Sequence, residues 1–286
     1  MPGSRIILAL ATALCAAISA AQAFDDAQYP DLKGQWRRLS PPGQPGFDPS
    51  KPRGRGQEAP LTPEYQAVFE ANLADLAAGG EGLWPGFTCR PPGMPALMTL
   101  YEPMEIIILP EITYIRIDHI HDTHRRIYTD GRDWPQFGDQ GIEPTFAGYS
   151  IGRWRDENGD GRYDVLEVET RNIKGPRAYD ASGLPLHRDN ETVVKERIYL
   201  DATDPNVLHN QITVIDHALT RPWTVTKNYK RHPDPRPNWE EYICAENNNH
   251  VHIGNEAYFM SADGYLMPAK KGQTPPDLRY FKQTRK

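Results

Sequence analysis

Ile112-Thr-Tyr-Ile-Arg-Ile-Asp-His119 is the stretch whose reading decides the fold. Side chains of an extended chain alternate between two faces. Thr113, Ile115, Ile117 and His119 therefore share one face, and Tyr114, Arg116 and Asp118 share the other. Working outward, the same short β-branched or aromatic runs recur at 104–109, 125–129, 149–155, 163–170, 192–200, 211–216, 223–230 and 241–245, separated by Pro, Gly, Asp and Asn clusters. So many short strands with no helical period between them predict an all-β antiparallel barrel or sandwich. Barrel closure removes the strand edges, so a calyx-type barrel is the expectation. One helix is predicted over 62–78: Thr62 caps it, Pro63 fits its first position, and Gly79-Gly80 end it. Its apolar face is read as Tyr65, Val68, Phe69, Leu73 and Leu76.

Three regions follow from the composition along the chain. Residues 1–23 read as a signal peptide, with Arg5 as the positive region, an apolar run and Ala21-Gln22-Ala23 as the cleavage site, so the mature chain begins near Phe24 in the periplasm or outside the cell. Residues 24–100 form a Pro-rich N-terminal wrap carrying the helix, and 101–286 form the barrel domain. No later segment is apolar enough for a membrane span. Among 286 residues Lys+Arg is 32 and Asp+Glu 38, a net charge of −6 without basic blocks, which disfavours a nucleic-acid partner. Of 3 cysteines, Cys15 lies in the signal, leaving Cys89 and Cys244 as a disulfide or as two buried thiols.

The runs Arg126-Ile-Tyr-Thr-Asp-Gly-Arg132, Gly148-Tyr-Ser-Ile-Gly-Arg-Trp154, Val165-Leu-Glu-Val-Glu-Thr170, Glu196-Arg-Ile198 and Pro222-Trp-Thr224 resemble a group of exported bacterial proteins of unknown function. The resemblance covers roughly residues 88–245. It implies a lipocalin-like barrel and export, and it implies no particular chemistry. This chain departs from that pattern by lengthening the Trp154–Val165 hairpin.

The lengthened hairpin carries the sharpest motif. Asp156, Asn158, Asp160, the Arg162 carbonyl, Asp164 and Glu167 fit the spacing of a calcium loop, with Gly161 at the turn. Strands flank it, so the expectation is a Ca²⁺-clamped hairpin; the alternative is an Asp/Asn/Gly turn with exposed charge. A second constellation is His119-x-His121-x-x-His124 and His250-x-His252. If each His-x-His lies on one strand it offers two imidazoles to one ion, Zn²⁺ or another transition metal. Asp118, Asp122, His187 and Glu191 are candidates to add ligands or a base. The alternative is loop histidines bonded to carboxylates, or metal-free acid–base work. Gly148-Tyr-Ser150-Ile-Gly152 matches a nucleophile elbow but lacks the helix that the elbow needs, so Ser150 reads as a strand residue. Arg125, Arg126 and Arg132 read as ion-paired or as a barrel mouth that recognises a carboxylate or phosphate.

Two functions follow as expectations. One is an exported lyase- or hydrolase-type enzyme acting on a small molecule in the barrel, with His119, His121 and His187 as catalytic candidates and His250 and His252 as further ligands. The other is a non-catalytic periplasmic carrier of a hydrophobic or acidic small ligand.

Overall fold

The computed structural model describes residues 25–39, 58–119, 121–138, 140–239, 242–244, 249–253 and 256–274. The expected signal peptide, the expected start of the mature chain near Phe24 and the Pro-rich stretch 40–57 lie outside them, as do the side chains of Asp118, His121 and Asp122. The chain forms a closed nine-strand barrel and a separate three-strand sheet. The barrel strands are β1 Gln35–Arg38, β2 Met104–Ile108, β3 Ile112–His119, β4 His121–Tyr128, β5 Tyr149–Arg155, β6 Val165–Arg171, β7 Val193–Leu200, β8 Val207–Ile215 and β9 Trp223–Arg231. The small sheet is β10 His250–Ile253, β11 Glu256–Met260 and β12 Leu266–Pro268. Helix α1 runs Pro63–Ala77, with Thr62 Oγ1 accepting from the Tyr65 amide at its start.

Neighbours around the barrel are antiparallel except β4 and β5, which are parallel. This departs from the all-antiparallel expectation, and arithmetic requires it. Strand directions cannot alternate all the way round a ring with an odd number of members, so one like-directed pair must occur. Eight-stranded up-and-down barrels avoid the problem by being even-numbered.

The ninth member is β1, inside the stretch read as a wrap. It pairs with β2 through Trp36↔Met104 and with β9 through Trp36↔Arg231 and Arg38↔Tyr229, closing the ring. A run of only four residues beside Gly34 has too little alternation to stand out in a Pro- and Gly-rich stretch. At the other end of the chain, residues 242–244 of the expected strand 241–245 are not in a strand. Cys244 there is bonded to Cys89, with their Cα atoms 5.6 Å apart.

Period-two alternation holds inside the barrel. Thr113, Ile115 and Ile117 of β3 are buried, as are alternate residues of β8 and β9. Ile106, Ile127, Leu166, Val168, Val194, Ile198, Ile212 and Val225 fill the interior. A polar cluster sits among them. Arg125 reaches Glu196 by two nitrogens, at 3.1 and 2.5 Å, and also bonds Thr170 (2.7 Å) and Ser150 (3.2 Å). Asn210 donates to the same carboxylate at 2.8 Å. Arg125 thus has a buried partner rather than a mouth position, and Ser150 is a buried strand residue bonded to Thr170. Arg132 is exposed and forked onto Asp130, while Arg126 lies over the Tyr114 ring.

Two irregular segments close one mouth. Met94, Leu97, Met98 and Leu100 are buried, and the Met98 carbonyl accepts from the inward-facing Tyr229 hydroxyl. Ile173, Tyr179, Leu184 and Leu186 are buried too, with the Tyr179 ring 4.7 Å from that of inward-facing Trp223. Helix α1 packs outside this mouth. Its inner face differs from the apolar reading: Val68 and Leu73 are exposed and Asn72 is buried. The Asn72 amide donates to Ser182 O (2.9 Å) and accepts from Leu83 N (2.7 Å), so a polar anchor sets the helix rotation.

The interior ion pair is a stability test. Removing one partner strands a desolvated charge, so Glu196→Gln should cost about 3–5 kcal/mol in equilibrium urea unfolding. A loss below about 1 kcal/mol would show that the cluster is not electrostatically coupled.

Candidate functional site

The plugged mouth holds a cavity of 340 Å³. Each wall comes from a different element. The barrel rim gives Arg38 from the end of β1 and His119 from the end of β3. The first plug gives Trp84, Phe87 and Tyr101, the second gives Asp180, and the segment after β9 gives Tyr242. The disulfide between Cys89 and Cys244 ties the Phe87 and Tyr242 walls together.

His119 continues the inward face of β3, as its alternation predicts. Its Nδ1 lies 2.5 Å from Glu102 Oε1. A carboxylate there accepts the Nδ1 proton, which leaves Nε2 as the lone-pair nitrogen of the neutral ring. Nε2 is buried and makes no hydrogen bond among the described residues. Trp84 lies beside the ring, with centroids 6.0 Å apart.

Asp180 is 2% exposed. Its Oδ1 accepts from Ser182 N (3.0 Å) and Ser182 Oγ (2.5 Å), while Oδ2 is buried with no partner among the described residues. Desolvation pushes its carboxyl above the ordinary range, against the bonds from Ser182 and the charges of Lys227 and Arg38. Burial lowers the Arg38 guanidinium, and Arg38 donates to the Thr99 carbonyl and feels the charges of Asp180 and Glu102. The cavity thus holds an imidazole with an available nitrogen, a carboxyl biased to its acid form and a tethered cation.

The other expected site residues fall in four places. His121, the first residue of β4, is the register partner of His119, the last of β3, so the two lie on adjacent strands rather than one. His250 and His252 do share a strand face, and both reach Glu81: His250 through Nδ1 and His252 through Nε2 at 3.1 Å. Their carboxylate is Glu81 and that of His119 is Glu102. His187 lies elsewhere, its Nδ1 2.7 Å from Asp189, where Asp189 and His217 complete a cluster.

The β5–β6 hairpin folds onto itself. Asp156 accepts from Gly159 N (2.7 Å) and Gly161 N (2.9 Å), Asp160 from Arg162 N (2.8 Å), and Asp164 from Glu157 N (2.9 Å). Asn158 Oδ1 accepts from Asp160 N at 2.9 Å. Glu167 is held by Arg155 at 2.8 Å and Arg197 at 3.2 Å. These pairs line a larger depression, 530 Å³, on the outer face of β5–β8. There Arg155, Glu167, Glu169, Lys195 and Arg197 pair with one another, and exposed Arg153 shares the lining.

Glu102, Asp180, Arg38 and the aromatic walls went unread in the sequence. They stand outside the long alternating strands, where no period marks an inward side chain. Among the described residues no helix is long and apolar enough to cross a membrane. The chain matches no protein-family model, and no curated protein matches it.

The raised carboxyl of Asp180 has a signed consequence. A group whose folded value is raised contributes stability that is full below the unfolded carboxylate value and is lost as pH rises through the folded one. Asp180→Asn keeps the acceptor for Ser182 and cannot ionise. It should therefore raise the melting temperature by a few degrees at pH 7 and lose that advantage at pH 3. An equal shift at both pH values would show that desolvation of Asp180 carries no cost.

Proposed function

We propose that the protein is an exported enzyme that moves protons on a small organic acid held at the plugged mouth of a lipocalin-like barrel. The observation that carries this reading is that His119 Nε2 and Asp180 Oδ2, on residues that line one cavity, are both buried and, among the described residues, both without a hydrogen-bond partner. Orphaned polar atoms are costly, so their survival in one place favours a use for them.

The chemistry is that of a lyase or, with water as the nucleophile, a hydrolase. Arg38 pairs with the substrate carboxylate. His119 Nε2 takes a proton from the adjacent carbon, with Glu102 fixing the ring and balancing the imidazolium. Asp180 gives its proton to the departing oxygen, so a C–H and a C–O bond break, a C=C bond forms and water leaves. The reverse sequence hydrates the double bond. Trp84, Phe87, Tyr101 and Tyr242 favour an aromatic or otherwise apolar body on that acid.

The test is NMR of the protein in D₂O with small hydroxy acids and their unsaturated counterparts. Deuterium exchange beside the carboxylate should appear and fall about 10²–10⁴-fold in His119→Gln. The aromatic walls also suit the carrier reading. In that case a panel member binds saturably without exchange, and His119→Gln leaves its affinity within a few fold.

Export is part of the proposal, supported by the Cys89–Cys244 bridge and the character of residues 1–23. N-terminal sequencing of periplasmic protein should start at Phe24. Calcium in the 156–167 hairpin is a separate proposal, supported by ligand spacing, and binding would have to draw Glu167 from its two arginines. A chelator should then lower the melting temperature, and Asp160→Ala should remove the response. No response in the parent protein would make the loop a self-capped turn.

A further inference from the structure

The cluster away from the cavity is built from two loops. His187 and Asp189 follow the second plug, and His217 lies in the turn between β8 and β9. Asp189 Oδ2 stands 2.7 Å from His187 Nδ1 and 2.5 Å from His217 Nδ1. One ligand atom from each of the three residues lies within 4.8 Å of the others, and among the described residues no other group of His, Cys, Asp and Glu does so.

The arrangement is pre-positioned. The Asp189 carboxylate also accepts from the Glu191 amide at 3.0 Å, which fixes its rotation. Asp216 joins the loops: its Oδ1 accepts from His187 N and from Ala218 N, both at 2.8 Å, and its Oδ2 accepts from the Thr192 hydroxyl. The Tyr65 ring of α1 lies against His187, with centroids 5.4 Å apart. Each histidine is thus held near Asp189 by the backbone around it. The Asp189 carboxylate is the group that faces buried His187 Nδ1, at 2.7 Å, and among the described residues that nitrogen has no other partner. The two rings stand nearly perpendicular, 80° apart, which sends their nitrogens toward the shared carboxylate from different directions.

We propose that His187, Asp189 and His217 bind a divalent transition-metal ion of the zinc class, which clasps the second plug to the β8–β9 turn. Two imidazoles, borderline nitrogen donors, with one carboxylate form a set that suits such ions, whereas Ca²⁺ and Mg²⁺ prefer all-oxygen sets. Bonds of about 2.0–2.2 Å to the ion require the ligand atoms to part to roughly 3.3 Å, a side-chain adjustment of less than an ångström each. His217 is 69% exposed, so an ion can enter from solvent and keep water in its remaining positions. The site lies apart from His119 and stands whether or not the mouth cavity is catalytic.

The probe is Zn²⁺ added to metal-stripped full-length protein. Calorimetry should show one saturable site, and melting should shift upward with Zn²⁺ but not with Mg²⁺. His217→Ala, a surface change that spares the core, should weaken Zn²⁺ binding at least tenfold and abolish the melting shift. His252→Ala should leave both intact, which separates this site from the histidines near Glu81. Binding that is absent up to millimolar Zn²⁺, or unchanged in His217→Ala, overturns the assignment. Binding without a melting shift overturns the clasp.

Discussion

Ring closure by β1 is the constraint on which the rest depends. Four residues, Gln35–Arg38, fill the gap between β2 and β9 and turn a sheet with two open edges into a barrel. Their inward side chains do different work. Trp36, fully buried, fills the interior and donates its indole N–H to the Leu32 carbonyl at 3.0 Å. Arg38 ends the strand at the rim and brings a cation to a mouth that already holds Glu102 and Asp180. Without the closing strand, β2 and β9 would expose unpaired backbone, and the cavity would lose its guanidinium.

The interior is not a uniform hydrocarbon filling. It holds Arg125 and Glu196 in a network with Ser150, Thr170 and Asn210, and above it Asp180 near Lys227 and Arg38. In the deeper network each charge is paired, although Asn210 Oδ1 has no partner among the described residues. At the rim the atoms without a partner among the described residues belong to titratable groups, His119 Nε2 and Asp180 Oδ2. A satisfied network rigidifies a core, whereas an unsatisfied one costs stability. That contrast, within one barrel, separates a structural polar cluster from a candidate working one.

Alternation made much of the barrel readable. Thr113, Ile115, Ile117 and His119 face inward because period two leaves no other choice once one face is buried. Helix α1 was readable from Thr62 and Pro63, yet its rotation was not, because buried Asn72 outweighs exposed Leu73 and polar anchors leave no periodic trace. The site was half readable. His119 stands on a strand with a strong pattern, but Glu102, Asp180 and Tyr242 come from segments whose paths are set by tertiary contacts. The small sheet β10–β12 was missed for a related reason: its strands alternate weakly, with only Tyr258 and Ala269 buried in that region.

The like-directed pair of β4 and β5 divides the ring. On either side of it the strands are antiparallel neighbours in chain order, β1–β4 in one half and β5–β9 in the other. The two halves touch along short edges: Ile127↔Ser150 and Tyr128↔Ile151 at one junction, and Trp36, Arg37 and Arg38 against β9 at the other. Inside the halves the ladders are long, as from Val193↔Ile215 to Leu200↔Leu208, except between β1 and β2, where the pairs are Gln35↔Glu105 and Trp36↔Met104. The cylinder is therefore two curved staves, β2–β4 and β5–β9, joined at narrow margins, directly at β4–β5 and through the short strand β1. Any breathing of the wall should begin at those margins, and the rim arginine stands on one of them.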